Sequence, residues 1–379
     1  LPVAALQQGF HVSELSAHVR GQRQLELEAD WNLETQLESD IRPLPQTKGS
    51  GVLLTGATGH VGAAVLHSLL AKGIAPIYAL LRGATREDAE RRLEETLRIR
   101  GYGGIGNTIV LQSDISQPRL GLDDHSAAHI LSNVSTIIHS AARVDHLRSY
   151  QTLRPANVDS VRELLRIATT GVGKQLIFLS TESVGDTLQK GAGGYVQSKW
   201  VAEQLVASAR LRGLNAHIIR LGLVGFDQRT GAANTEDWVS RFIAGCIQLG
   251  LYYVVDEGVL RLSFVDDVAN SVINLAMAGQ SNSLISTLPS HLISSTDLMR
   301  TVSTVIGPAE LERVPQWKWS EIMLDLPETN PMFPLRQRYS AGLPRMHPEG
   351  IPYKLSVDAV DRFIRFLRIA LYTCRRRSH

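Results

Sequence analysis

The stretch that decides the fold is Thr55-Gly56-Ala57-Thr58-Gly59-His60-Val61-Gly62, whose three glycines are spaced three residues apart. It follows a short apolar run, Val52–Thr55, and opens a segment with helical periodicity, Val61–Lys72. A strand, a glycine turn and a helix in this order let backbone N–H groups approach a pyrophosphate and direct the helix N-terminus towards it. The stretch therefore predicts a dinucleotide site in which Thr55, Gly56 and residues 58–62 contact the ligand.

The chain beyond this loop alternates short apolar runs with segments of helical period. The predicted strands are Ile77–Leu81, Thr108–Leu111, Thr136–His139, Gln175–Leu179 and Ala216–Leu221, and the predicted helices are Arg86–Arg100, Asn157–Thr169 and Ser198–Arg212. Strands separated by helices imply right-handed crossovers and a parallel sheet buried on both faces. We therefore predict an α/β fold, a Rossmann-type doubly wound parallel sheet with a smaller, mostly helical C-terminal lobe.

The two ends of the chain differ from this alternating part. From Gln24 to Ile41 there are six acidic residues and no basic one, and the run breaks at Arg42-Pro43-Leu44-Pro45. This composition predicts that residues 1–48 are a solvated, partly helical linker to an upstream module, with an acidic binding tail as the alternative. The dinucleotide-binding domain is predicted over 49–270, with part of the substrate lobe inserted at about 226–258. The rest of that lobe, rich in proline, is predicted over 271–379.

Composition narrows the classes of partner and compartment. Lys and Arg total 39 against 37 Asp and Glu, so neither a nucleic acid nor a membrane is an expected partner. Cys246 and Cys374 make no disulfide framework and no metal pattern. A reducing, cytoplasmic location without a bound metal is therefore predicted. The first residue is Leu, as expected for a piece of a longer polypeptide.

The end of the second predicted strand indicates which dinucleotide binds. An NAD enzyme places Asp or Glu there to accept a hydrogen bond from the ribose 2′-hydroxyl. This chain has Leu80-Leu81-Arg82, and a guanidinium suits a 2′-phosphate instead. Arg92, on the following helix, is a second candidate contact, although a solvated helix charge is an equal alternative. The cofactor predicted by these residues is NADPH.

A tyrosine and a lysine four residues apart predict a proton-donor pair. In Tyr195-Val196-Gln197-Ser198-Lys199 the helical spacing puts both side chains on one face. A phenol is a poor acid at neutral pH unless a cation stabilises the phenolate, a role that Lys199 fits while also holding the nicotinamide ribose. Thr181 ends the preceding predicted strand, where ligands bind in parallel sheets. These three residues are the predicted catalytic group, against the alternative of a solvated lysine beside a packed tyrosine.

Further motifs give the chain a family resemblance. They are His139-Ser140-Ala141-Ala142, Leu153–Val158, Gly194–Trp200, Gly222–Leu251 and Phe264–Ala269. With the glycine loop, they make the chain resemble an extended short-chain dehydrogenase/reductase. Within that superfamily it is similar to thioester reductase domains, the terminal reductases of nonribosomal peptide and polyketide synthetases, carboxylic acid reductases and alpha-aminoadipate reductases.

The resemblance implies roles for further residues. Asp114 and Ile115 would flank the adenine, residues Ser140, Ala141, Ala142 and Asn157 would lie along the cofactor, and the catalytic group would be the one named above. Two positions depart from the family pattern: His60 replaces a bulky apolar residue, and Leu221 replaces a proline. Arg143, Asp145 and His146 could line the substrate channel, although a loop histidine is more often a surface residue.

The activity implied by the resemblance is NADPH-dependent reductive release of a carrier-bound acyl thioester as an aldehyde, with a second reduction to the alcohol left open. The implied partners are an acyl or peptidyl carrier domain that bears the substrate on phosphopantetheine and upstream synthetase domains of the same polypeptide. One alternative is an extended reductase or epimerase acting on a free small molecule such as a nucleotide sugar, since it would use the same catalytic group. Another is a non-redox cyclising release domain, which typically lacks the tyrosine.

Overall fold

The structure of the chain is a computed structural model that describes residues 29–44, 51–279, 283–340 and 350–377. These residues form two compact units. The first, called the sheet unit, comprises the described residues of 29–224 and 265–288. The second, called the C-terminal unit, comprises 225–264 and the described residues from 289 onward.

A parallel sheet forms the centre of the sheet unit. Its strands within the described ranges are β1 (Gly51–Thr55), β2 (Ile77–Leu81), β3 (Thr108–Gln112), β4 (Val134–His139), β5 (Gln175–Thr181), β6 (Ala216–Leu221) and β7 (Ile285–Thr287). They lie in the order β7-β6-β5-β4-β1-β2-β3, with every pair parallel. The order reverses between β1 and β4, which is the point where open α/β sheets bind ligands. The predicted fold class is confirmed.

Helices cover this sheet on both sides, as its fully buried strands require. They are α1 (Trp31–Glu34), α2 (His60–Ala71), α3 (Arg86–Ile99), α4 (Asp124–Asn133), α5 (Tyr150–Arg154), α6 (Ser160–Ala168), α7 (Gly194–Leu211) and α8 (Val265–Met277). A π-helical turn, Pro155–Asp159, joins α5 to α6. A 3₁₀ turn (Pro118–Gly121) and a short strand (Leu223–Val224) complete the sheet unit.

The acidic segment, residues 29–44, packs onto the sheet unit. Leu37 is 4% exposed and Ile41 is fully buried, and both belong to the same apolar core as Leu53 of β1. Burying two aliphatic side chains contributes roughly 3–6 kcal/mol of transfer free energy. The predicted solvated linker is therefore wrong for these residues. Residues 1–28 and 45–50, the rest of that prediction, lie outside the described ranges.

Ion pairs and carbonyl contacts hold the acidic segment in place. Glu34 accepts hydrogen bonds from the Tyr150 hydroxyl (2.7 Å) and from Nε of Arg154 (2.9 Å). Arg162 pairs with Glu38 at 2.9 Å and donates to two backbone carbonyls of the segment. These partners lie more than 100 residues away in sequence, so the composition of the segment alone gave no sign of them.

The C-terminal unit is smaller and mostly helical. Its helices are Trp238–Leu249, Ser295–Ile306, Gln316–Leu324, Arg336–Tyr339 and Val357–Arg377, with a 3₁₀ turn at Phe333–Leu335; its strands are Leu251–Tyr252, Val259–Ser263, His291–Ser294, Glu312–Arg313 and Ile351–Pro352. Aromatic rings fill part of its core: Phe226 stacks on Phe363 at a centroid distance of 4.5 Å and meets Phe264 edge-on at 5.3 Å. Among the helices described in either unit, none is long and apolar enough to cross a membrane.

The limits of the two units differ from the predicted ones. The inserted part of the lobe runs over 225–264, and the lobe resumes at 289 instead of 271. The reason is that α8 packs against α2 and that β7 pairs with β6, so residues 265–288 complete the sheet unit.

Candidate active site

The glycine loop lies at the point where the strand order reverses. Gly56 has a φ of 77°, and a Cβ atom there would lie 2.7 Å from the backbone nitrogen of Ala141. A Cβ atom on Gly62 would lie 2.1 Å from the carbonyl oxygen of Gly56. Both positions therefore require glycine, one for its conformation and its neighbour, the other for a close approach of helix and loop.

The N-terminus of α2 fits a pyrophosphate. Gly59 is its N-cap and has no side chain that could bond to the first backbone N–H groups of the helix. These N–H groups and the helix dipole together favour an anion. His60, one of the two departures from the family pattern, lies at this helix start, where its Nδ1 atom is 3.3 Å from Nη1 of Arg100.

A buried hydrogen-bonded chain fixes the loop after β4 against β1. The Thr55 hydroxyl lies 2.7 Å from Nδ1 of His139, and its oxygen accepts a hydrogen bond from the backbone N–H of Ala141 at 3.1 Å. Burial, reinforced by the charge of Lys199, lowers the pKa of His139 to about 3. His139 is therefore neutral, with one ring nitrogen that donates and one that accepts a hydrogen bond. His139 was assigned no role from the sequence, although its place at the end of β4 is a usable signal.

Two arginines meet beyond the end of β2. Arg82 is exposed, and the Arg92 side chain on α3 donates a hydrogen bond to the Arg82 carbonyl oxygen. In the next loop burial works against ionisation of Asp114. Hydrogen bonds from the backbone and hydroxyl of Ser116, with the charge of Arg82, nevertheless hold the pKa of Asp114 below its usual value. Ile115 beside it packs against the core. Contact of these two arginines with a 2′-phosphate stays a prediction.

Replacing Arg82 tests the cofactor preference. We expect Arg82→Ala to weaken NADPH binding by about 1.5–3 kcal/mol, because a charged hydrogen bond is lost, and to leave NADH binding nearly unchanged. Titration of cofactor fluorescence measures both affinities. Arg98→Ala is the matched control, since Arg98 lies on α3 and pairs with Glu95 at 3.0 Å. Equal losses for both cofactors would show that Arg82 serves the fold instead.

The start of α7 brings the predicted proton-donor pair beside β5. Tyr195 lies in the first turn of α7, which begins at Gly194, four residues before the predicted start at Ser198. Lys199 is 2% exposed, and its Nζ atom donates to the Leu179 carbonyl oxygen at 2.7 Å. Thr181 is the last residue of β5, and its hydroxyl oxygen accepts from the Ser183 N–H at 3.2 Å. The catalytic group predicted from the sequence thus lies at the carboxyl edge of the sheet.

The electrostatics of this pair differ from the expectation. Burial raises the pKa of Tyr195 to about 12 and lowers the pKa of Lys199 to about 7. The ammonium of Lys199 bonds to a backbone carbonyl and lies 4.0 Å from the centre of the Phe178 ring. The effect of burial on the pKa of Tyr195 therefore outweighs the expected acidification by Lys199, and the phenol is protonated before any reaction begins. A raised pKa keeps the phenol protonated, as a proton donor requires.

Asn157 organises the surroundings of the pair. It lies in the π-helical turn, a feature that often marks functional sites, and it is 2% exposed. Its side-chain oxygen accepts a hydrogen bond from the backbone N–H of Arg143 at 2.7 Å. Its side-chain nitrogen donates to the carbonyl oxygen of Arg143 at 3.1 Å and to the Ser198 hydroxyl at 3.0 Å. Asn157 therefore ties the loop after β4 to the helix that carries Lys199. Ser198 was not singled out from the sequence, although it is the neighbour of Lys199.

His146 lies next to Tyr195. The centres of the two rings are 5.2 Å apart in an edge-to-face arrangement. The imidazole is exposed, in contrast to Tyr195. This contact places the loop that follows β4 beside the phenol. The predicted position of His146 along a substrate channel remains a prediction.

These residues fit a bound dinucleotide. The backbone cradle at the glycine loop suits the pyrophosphate, the arginines suit a 2′-phosphate, and Lys199 lies where the ribose of the nicotinamide would be held. In the described part of the chain, no group of three or more His, Cys, Asp or Glu side chains could hold a metal ion.

Known proteins are similar to this chain in sequence and in fold. The sequence matches the NAD-binding family described as Male sterility protein over residues 54–193 and 184–272. The terminal R domain from the myxalamid PKS-NRPS biosynthetic pathway, known from a crystal structure, is 27% identical to this chain in sequence. The two structures superpose with a TM-score of 0.76. The match covers 90% of this chain and 97% of that one.

Two curated relatives are much longer proteins. The L-2-aminoadipate reductase large subunit of Penicillium chrysogenum is 35% identical over 257 residues, 59% of this chain and 18% of that protein. A linear gramicidin synthase protein of Brevibacillus parabrevis is 33% identical over 290 residues, 71% of this chain and 6% of that protein. The matched family covers more than half of the sequence. The chain therefore belongs to the Male sterility protein family of NAD-binding domains.

Proposed function

We propose that the chain reduces a carrier-bound acyl thioester with NADPH and releases it as an aldehyde. The observation that carries the proposal is the position of Tyr195 and Lys199 at the carboxyl edge of β5, on the sheet that holds the glycine loop. A proton donor and a dinucleotide cradle at one sheet edge suit carbonyl reduction. The similarity to an L-2-aminoadipate reductase supports this chemistry over that of an epimerase on a free sugar nucleotide.

Cofactor binding falls to the glycine loop, the arginine pair and Lys199. Thr55, Gly56 and residues 58–62 would hold the pyrophosphate, and Arg82 with Arg92 the 2′-phosphate. Asp114 and Ile115 would border the adenine, while residues 140–142 would lie along the dinucleotide. Bound NADPH supplies the hydride, and the chain supplies position and charge.

The proton chemistry falls to Tyr195. Its phenol, kept protonated by burial, would donate a proton to the carbonyl oxygen as negative charge develops there. The Thr181 hydroxyl would donate a second hydrogen bond to the same oxygen. When Tyr195 takes the proton back from the resulting hemithioacetal, the carbon–sulfur bond breaks and its electron pair leaves with the sulfur. The departing thiolate takes a proton from water, and an aldehyde remains. Lys199, as an ammonium ion, would stabilise the transient phenolate.

A carrier domain is the proposed source of the substrate. The curated relatives are large proteins, of which this chain matches only a part. In the sheet unit, the acidic segment is anchored through Glu34 and Glu38. We propose that this segment fixes the point at which an upstream carrier module on the same polypeptide is attached. A phosphopantetheine arm would then deliver the thioester to Tyr195.

Arginines of the C-terminal unit are candidates for a docking face. Carrier proteins are usually acidic, so a locally basic face is expected even though the net charge is only +2. Arg241 is a poor candidate, because it is held by Glu236 and by the Pro331 carbonyl oxygen. Arg336 and Arg338 lie over the rings of Phe333 and Trp238 and remain proposals for this face.

A comparison of tethered and free thioesters tests the proposal. One acyl group is loaded on a carrier domain and, separately, on a short free thiol, and each is mixed with the protein and NADPH. We expect aldehyde to form in step with NADPH loss and kcat/KM to be at least about tenfold higher for the carrier, because tethering raises the effective concentration. The advantage should shrink with added salt.

Two results would contradict parts of this proposal. If neither thioester yields an aldehyde although NADPH binds, thioester reduction is excluded. If kcat/KM is equal for the carrier-bound and the free thioester, thioester reduction is supported, but the proposal that a carrier domain delivers the substrate is contradicted.

A further inference from the structure

Three ionisable residues follow one another along one face of α7. Tyr195, Lys199 and Glu203 are four residues apart, so their side chains lie on the same side of the helix. Lys199 and Glu203 are 2% and 1% exposed. Two opposite charges are therefore buried one helical turn apart, and burial is costly for each of them unless it has a partner.

Arg220 of β6 is the direct partner of Glu203. Its Nε atom lies 3.2 Å from both carboxylate oxygens, and its Nη2 atom lies 2.8 Å from Oε2. Planar, two-point contacts of this kind fix the orientation of the carboxylate. The second acid near Arg220 is Asp186, which is 3.5 Å away and almost fully exposed, so it contributes little. Glu203 is thus held at one place beside the catalytic helix face.

Groups from three elements of the sheet unit lie around Lys199. On α7 they are Tyr195 and Glu203, on β5 the Leu179 carbonyl oxygen and the Phe178 ring, and on β4 the neutral His139. Burial lowers the pKa of Lys199 to about 7, and the charge of Glu203 opposes that shift. Of the ionised groups described around it, the Glu203 carboxylate is the one that favours the ammonium form.

We propose that Glu203, oriented by Arg220, is a positioning residue that keeps Lys199 an ammonium ion in the working enzyme. The proposal rests on the proposed function, in which a charged Lys199 stabilises the Tyr195 phenolate. Glu203 would act through Lys199 and not by contact with the substrate or the cofactor. Arg220 has a double effect, because it orients the carboxylate and also neutralises part of its charge.

Two substitutions of opposite sign test this electrostatic role. Glu203→Gln removes the negative charge, so the titration midpoint of Lys199 should fall by about one pH unit. Arg220→Gln leaves the Glu203 charge without its counter-ion, so the midpoint should rise by about 0.5–1 unit. A general loosening of the fold would shift both variants in the same direction. Asp186→Asn, which also removes an acid near Arg220, is the matched control and should leave the midpoint unchanged.

The midpoint can be read without any thioester. The chain has seven lysines, so selective ¹³C labelling at Cε gives seven signals, and Lys199→Arg identifies the one that belongs to Lys199. The chemical shift of that signal is followed against pH in each variant. A midpoint that stays within about 0.3 unit in both Glu203→Gln and Arg220→Gln would overturn the proposal. If Glu203→Gln does not fold, Arg220→Gln alone decides by its sign.

The pH profile of kcat provides the functional measurement. Since the ammonium form is the active one, activity is present below the Lys199 midpoint and is lost as pH rises through it. In Glu203→Gln this alkaline limb should move down by about one unit, so that kcat falls about tenfold near pH 8 and less than about twofold near pH 6. An equal loss at every pH would indicate a structural role and contradict the proposal. If wild-type protein reduces no thioester, the proposed function fails while the lysine titration still decides this inference.

Discussion

Tyr195→Phe should reduce turnover of a thioester substrate by about 100- to 10,000-fold, the range that a positioned proton donor contributes. The phenol is the group at the start of α7 that can protonate the developing oxyanion, and phenylalanine keeps the ring while removing the proton. Burial holds the pKa of Tyr195 at about 12, so the donor stays protonated throughout the neutral range. Single-turnover rates of NADPH consumption measure the loss.

Cofactor affinity and a second tyrosine serve as controls for this variant. The NADPH dissociation constant of Tyr195→Phe should stay within about twofold of the wild-type value, because the hydroxyl is lost without a change in ring volume. Tyr78→Phe removes the hydroxyl of another buried tyrosine, on β2, and should leave turnover unchanged. Near-normal turnover in Tyr195→Phe would remove this residue from the mechanism.

Gly56→Ala should lower the free energy of unfolding or of cofactor binding by about 2–5 kcal/mol in total. The positive φ of 77° costs an L-residue about 1–2 kcal/mol, and the contact of a Cβ atom with Ala141 adds about 1–3 kcal/mol. Because that contact joins the glycine loop to the loop after β4, the damage falls on the dinucleotide cradle. Urea unfolding and NADPH titration together measure the two contributions.

Gly73→Ala separates backbone strain from the close approach. Gly73 has a similar φ of 66°, but no atom lies within 4 Å of a Cβ placed there. It should therefore cost about 1–2 kcal/mol of unfolding free energy and leave NADPH affinity unchanged. If Gly56→Ala and Gly73→Ala have the same effects, the approach of Ala141 to the glycine loop is not what makes glycine necessary at position 56.

Local sequence patterns predicted most of the strands of the sheet unit. The apolar runs gave β1 to β6 within two residues, because fully buried parallel strands have a composition that few other segments share. The glycine spacing and the four-residue interval between Tyr195 and Lys199 predicted positions that depend on one turn or one helix face. Such features are encoded by residues close together in the chain, and the sequence can be interpreted there directly.

Contacts between residues far apart in the chain could not be predicted from the sequence. The ion pair of Glu203 with Arg220 joins a helix to a strand 17 residues away, and neither residue is unusual by itself. Strand β7 was missed because its three residues follow a long inserted lobe. The π-helical turn at Asn157 was assigned to an ordinary helix, since its periodicity differs from that of an α-helix by too little over five residues.

The anchored acidic segment has a consequence for fusing this chain to another protein. A fusion joint at about residue 49, where the sequence suggests a linker ends, would discard Leu37 and Ile41 and uncover the apolar surface beneath them. It would also leave Arg162, which is 8% exposed, without Glu38 and the two carbonyl groups that it binds. A fusion protein that keeps the acidic segment in place must therefore include the chain from Ala29 or earlier. A joint upstream of that residue retains the ion pairs and apolar contacts that hold the segment to the sheet unit.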